Sequence, residues 1–166
     1  MNRLIATLSA AALVVVAGAC AAGPPSPPPP DCKAPAAPEV NWSGCDKSFS
    51  RLVGVDLSDA VLFGTDFWRA DLSEADLAGA DMSNAVVSYG FLSRANLSDA
   101  DLSDSELYFA DLDDADLSAT NLDAAGLNFA DLSGATGLPV GDPQYYETTC
   151  PDGSVVSEPD SCAFTP

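Results

Sequence analysis

The chain has 166 residues, 47% of them hydrophobic, and its 25 acidic against 6 basic side chains leave a formal net charge of −19. That length supplies one domain, and that charge excludes direct nucleic-acid binding and attraction to an anionic membrane surface while favouring cations and basic partners. There is no histidine, and only Lys33 and Lys47 supply side-chain amines, so the commonest general base and metal ligand are missing; neither an enzyme nor a cofactor is expected.

Met1-Asn2-Arg3 and the apolar run from Leu4 to Ala19 combine a basic start with a hydrophobic stretch too short to span a bilayer comfortably, the pattern of an export signal over residues 1–19. The run ends Ala17-Gly18-Ala19-Cys20, which resembles the lipobox of bacterial lipoproteins except that Ala17 stands where leucine, valine or isoleucine is preferred. The resemblance implies acylation of Cys20 and a membrane anchor at the cell surface. The alternative is cleavage after Ala19 and free secretion. Cysteine parity favours the lipid: of five cysteines, giving Cys20 to acylation leaves Cys32, Cys45, Cys150 and Cys162, an even set suited to an oxidising compartment.

Residues 20–31 form a linker. Gly23-Pro24-Pro25-Ser26-Pro27-Pro28-Pro29-Pro30 has almost no backbone donors and is expected to hold polyproline II. At ~3.1 Å per residue, Ala21 to Asp31 reach ~34 Å, a stalk that acts as a passive spacer.

From Leu52 an apolar residue returns every fifth position through Leu132, giving seventeen units without insertion across residues 50–134. A small residue, usually alanine, stands two places before each, and usually aspartate or asparagine directly before, as in Ala75-Asp76-Leu77-Ala78-Gly79. A period of five fits neither helical spacing nor strand alternation, so a repeat architecture is required. This pattern resembles the pentapeptide-repeat family. The resemblance implies an all-β fold, a right-handed quadrilateral parallel β-helix of about four coils, in which four units make one turn of twenty residues and only the leucine and the small residue point inward. The narrow interior agrees with alanine beside leucine, and each aspartate is then expected to face water.

Residues 32–49 and 135–166 are expected to be terminal caps. Cys32 and Cys45 bracket a short segment of the first, Cys150 and Cys162 one of the second. Four cysteines allow three pairings, and the two local disulfides are favoured because the coil separates the chain ends; a metal site is the rival, without histidine or close paired spacing to support it. Cys150-Pro151-Asp152-Gly153 reads as a turn.

With twenty residues per turn, positions twenty apart share a face. Most outward columns carry aspartate diluted by small residues, as Asp56, Asp76, Asn96 and Asp116 do. Calcium would take such oxygens, but flat columns do not converge six to eight of them, so a solvated acidic scaffold is preferred. One face departs: that of Phe67, Val87, Leu107 and Leu127 presents Trp68-Arg69, Ser88-Tyr89, Tyr108-Phe109 and Asn128-Phe129, while its aspartate column reads Asp66, Val86, Glu106, Gly126. Trp68, Arg69, Tyr89, Tyr108, Phe109 and Phe129 are the candidate binding residues. Exposed aromatics seldom stand bare, so either the C-terminal tail, with Tyr145 and Tyr146 close to its start, covers them or they meet a protein partner, a cell-wall glycan or a second copy.

The family offers an alternative function, since some members mimic DNA and occupy the DNA-binding groove of gyrase. Residues 50–134 hold 17 acidic and 3 basic side chains, net −14, on a rod of ~20 Å, where B-DNA carries ~12 phosphates. The charge permits mimicry, but the export signal and the interruption of the acidic columns at Phe91 and the aromatic face oppose it.

Overall fold

In the computed structural model, which describes residues 27–156 and 162–164, the repeat run is wound into a four-sided parallel β-helix. Residues twenty apart pair as parallel bridges from Asn41 with Val61 through Asp116 with Thr136. Each side is one pentapeptide: a bridged residue from the aspartate column, the inward leucine, two turn residues and the inward small residue.

The residue preferences follow from accounting for five backbone amides per unit. In the unit Asp81-Met82-Ser83-Asn84-Ala85, Asp81 N–H donates to Ala60 C=O one coil before, Met82 N–H and Asn84 N–H donate to Asp101 and Ser103 one coil after, and Ala85 N–H closes the turn on Met82 C=O, all within 2.7–3.0 Å. The fifth, Ser83 N–H, donates to Asp81 Oδ1 at 3.1 Å, and Ser83 Oγ donates to the same oxygen at 2.6 Å. The aspartate therefore does more than face water. It closes an Asx turn over an amide with no backbone partner, which is why aspartate or asparagine recurs at this place. The same bonds recur at Asp56 with Ser58, Asn96 with Ser98, Asp116 with Ser118 and Asp131 with Ser133.

The interior holds leucine with alanine, from Leu57 and Ala60 through Leu132 and Ala135, all within a few per cent of complete burial. Where the small residue is polar it bonds inside: Thr65 Oγ1 to Trp42 C=O and Thr120 Oγ1 to Leu97 C=O, at 2.8 and 2.7 Å. No buried side-chain polar atom of the described residues lacks a partner.

The winding runs past the repeat pattern at both ends. Within residues 32–49, expected as a capping segment, the coil begins at Asn41: Asn41 bridges Val61, and Trp42 occupies a leucine position and plugs the core. Lys47 Nζ sits 3.7 Å from the centre of the Trp42 ring and donates to Cys32 C=O. At the other end the separation shortens from twenty residues to nineteen at Asn121 with Val140 and eighteen at Gly126 with Gln144 and Asp131 with Thr149. The tail thus completes another, tighter turn, with Tyr145 in the core and Phe164 packed against it. It includes a hairpin of β1 (Thr148–Thr149) and β2 (Val155–Val156), and Cys150-Pro151-Asp152-Gly153 lies in its turn. Disulfides join Cys32 to Cys45 and Cys150 to Cys162, with Cα atoms 5.4 and 5.2 Å apart.

Candidate functional site

Each turn places its second residue after the leucine at positive φ, the sense a type II turn requires. Glycine suits that conformation, and other side chains cost it ~1–2 kcal/mol. Along the corner that follows the Phe67 side, the residues held there are Phe49, Arg69, Tyr89, Phe109 and Phe129, at φ between 54° and 61°. The repeat therefore projects bulky side chains from the position least suited to them, at intervals of one coil.

The result is a ladder. Tyr89 and Phe109 stack with centroids 4.9 Å apart and planes within 8°, and Phe109 and Phe129 at 4.6 Å and 2°. The coil spacing brings parallel rings into contact at the distance aromatic stacking prefers. Below, Arg69 lies against the faces of Trp68 and Tyr89, at 4.8 and 5.6 Å, and Phe49 meets Trp68 edge to face. Above, Tyr146 meets Phe129 edge to face. Tyr146 belongs to the candidate site from the column of Tyr108 and Asn128, and its signal was hidden because the shortened coil puts it eighteen rather than twenty residues after Asn128.

Tyr108, one place before Phe109, is half-buried and lies over the aspartate column: a Cβ on Gly126 would come 3.2 Å from its ring. Loss of side chain at Gly126 makes room for that ring. Val86 and Gly126 offer no acceptor for an Asx turn, so this side gives up that bond in two of its coils, whereas Asp66 keeps it and accepts from Trp68 N–H at 2.9 Å.

The described part of the tail does not cover the ladder. Tyr89, Phe109 and Phe129 remain 43%, 46% and 37% exposed, and Phe91, from the adjoining side, 49%. Phe49, Arg69, Tyr89, Phe91 and Phe109 line an open groove of about 460 Å³. Acidic residues flank it at Asp71 and Asp111.

The acidic columns are internally bonded. Asn96 Nδ2 donates to Asp76 Oδ1 and Asn121 Nδ2 to Asp101 Oδ1, each at 3.0 Å, so carboxylate oxygens are occupied within the column. Hydrogen bonds from Ser48 and Ser58 hold the Asp46 and Asp56 carboxyls below the usual carboxylate range. Asp113 is pushed up by burial and by the Asp114, Asp111 and Asp131 charges around it. Among the described residues, no group of three or more acidic or cysteine side chains is arranged to hold a metal ion. Cys20 and the export signal lie outside the described residues.

Known proteins bear on the fold. The chain matches the family described as pentapeptide repeats in eight copies, over residues 50–88, 80–118 and 100–136, just over half its length. Among solved structures it is similar to the pentapeptide-repeat protein Rfr23 from the cyanobacterium Cyanothece 51142, with 22% identity over 65% of this chain and 89% of that one and a TM-score of 0.50. It is also similar to HetL, a pentapeptide-repeat protein involved in heterocyst differentiation regulation in Nostoc sp. strain PCC 7120, at 25% identity over 71% and 81% of the two chains and a TM-score of 0.37. A third is QnrB1, a plasmid-mediated fluoroquinolone resistance protein, at 19% identity over 67% and 61% of the two chains and a TM-score of 0.46. No curated protein matches the sequence. Proteins of this repeat class are generally structural or binding modules rather than enzymes. The five-residue period, the four-sided coil and the matched repeats together place the chain in the pentapeptide-repeat family, with a right-handed quadrilateral β-helix.

Proposed function

We propose that the protein is an exported, non-enzymatic binding module that presents its aromatic corner to a protein partner, from a lipid anchor at Cys20 or, if Cys20 is not acylated, as a freely secreted protein. The observation that carries this reading is the ladder of half-exposed rings at positive-φ positions on an otherwise acidic rod. Stacking consumes the ring faces and leaves the edges outward. A flat sugar ring needs a face to stack on, whereas methyl and methylene groups of a protein pack well against edges, which favours a protein over a cell-wall glycan. The acidic flanks add attraction for a partner with basic residues around an apolar centre.

The test is capture from the envelope fraction by the full chain and by a triple variant, Tyr89→Ser, Phe109→Ser and Phe129→Ser. A partner retained equally by both, with circular dichroism unchanged, overturns the reading. Mass measurement of the mature N-terminus in fractionated cells separates an acylated Cys20 from free secretion.

The net charge of −14 over residues 50–134 supports a second reading, mimicry of DNA towards a DNA-handling protein such as gyrase. The breaks at Val86, Phe91 and Gly126 and the export signal weigh against it. A cytosolic chain with an unprocessed leader that blocks gyrase supercoiling would establish it.

A further inference from the structure

Building on the corner as a docking surface, we propose that its occupant is a polyproline II segment, namely the proline-rich residues 23–30 of a second copy of the chain. The groove has the edge of the ring ladder as one wall and Phe91 as the other. Its repeat selects the shape of the occupant. Rungs follow one another at 4.6–4.9 Å, so two rungs are ~9.5 Å, and one turn of polyproline II, three residues at ~3.1 Å, is ~9.3 Å. A strand, repeating every ~6.6 Å, is out of step with the rungs within one repeat, and an α-helix, with a pitch of ~5.4 Å, drifts by ~0.6 Å at each rung. A polyproline II helix laid along the corner presents every third residue to every second rung.

The chemistry agrees with the spacing. Proline brings an apolar ring and no N–H, so it enters a groove walled by phenyl edges without an unsatisfied donor. Its carbonyls point outward and need donors, which the exposed guanidinium of Arg69 supplies from within the groove. Charge narrows the source. The rod repels another copy of itself, but residues 23–30 carry no charge and approach it without that cost.

The segment of the same chain is poorly placed. Asn41 Nδ2 donates to Pro28 C=O at the N-terminal end of the coil, on the side whose column continues through Val61 and Asp81 rather than on the aromatic corner. Held there, Pro28 lies off the groove of its own chain. The occupant therefore comes from a second molecule.

The test adds a synthetic peptide of residues 23–30 to the full chain and follows the side-chain NMR signals of Tyr89, Phe91 and Phe109. Saturable shifts confined to these residues are expected. Replacing Pro25 and Pro28 of the peptide with glycine, or Tyr89 and Phe109 of the protein with serine, should weaken binding at least tenfold, with circular dichroism unchanged. No shifts up to millimolar peptide, shifts elsewhere, or equal binding by the glycine peptide overturns the proposal. Sedimentation equilibrium should show self-association that excess peptide reverses; a monomer at all concentrations overturns the second copy as source. If the peptide fails while the serine variants still lose an envelope partner, the docking surface stands and only its proline occupant falls.

Discussion

The rings of Phe109 and Phe129 lie 4.6 Å apart and within 2° of parallel, although both are carried by backbone at positive φ, 56° and 61°. The two facts oppose each other energetically. Holding a non-glycine residue in that region costs ~1–2 kcal/mol, and each stacked pair returns ~0.5–1.5 kcal/mol. Replacing Phe109 with asparagine loses two stacks and relieves one turn, so the terms nearly cancel. We expect Phe109→Asn to shift Tm by less than about 4 °C while abolishing binding at the corner. A large loss of stability by calorimetry would make the ladder a structural device instead.

A mid-stack leucine behaves differently. Leu97 is completely buried, and Leu97→Ala is expected to cost ~2–5 kcal/mol through lost burial and a cavity that the rigid coil cannot close. Leu97→Asp should unfold the coil, since a charge would enter a core with no partner for it. Native circular dichroism and melting temperature in Leu97→Asp would contradict the inward placement of this column.

The Asx turns predict an acid-dependent component of stability. Hydrogen bonds from Ser58 lower the Asp56 carboxyl below its ordinary range. Its contribution is therefore complete above the unfolded-state value and is lost as pH falls through the folded one. Asparagine accepts the same bonds without titrating, as Asn96 does for Ser98. Between pH 5 and pH 2, Asp56→Asn should lose less Tm than the native chain, and Asp56→Ala should be less stable than either at pH 7. Identical pH profiles for all three would remove the Asx bond as a source of stability.

The N-terminal disulfide guards the plug. Cys45 is buried beside Trp42, and Lys47 covers the indole ring. Replacing Cys32 and Cys45 with alanine is expected to cost ~3 kcal/mol and to loosen this end first, shifting Trp42 fluorescence to longer wavelength before the coil melts. Trp68 also fluoresces, so the comparison is made in Trp68→Phe. Simultaneous loss of both signals would show that the end plug and the coil unfold as one unit.

The coil was legible because its period is strict. Leucine every fifth residue, alanine two places before it and aspartate beside it each answer a separate physical demand: core volume, wall thickness and an amide left over by the turn. The aromatic column was equally legible, since Tyr89, Phe109 and Phe129 are twenty residues apart. Two features were not. Trp42 and Tyr145 complete the core from segments without the pattern, and Tyr146 meets Phe129 from the column of Tyr108 and Asn128 through a last coil shortened around Pro139 and Pro143.

What the sequence determined by itself is which residues share a side, because a five-residue unit repeated without insertion admits one register. What tertiary structure alone decided is how those side chains meet. Ring orientation depends on the turn's positive φ and on the spacing between coils, neither of which is written in the identity of a phenylalanine. From that spacing comes the conversion of a column of exposed aromatics into a stacked ladder with its faces closed and its edges open.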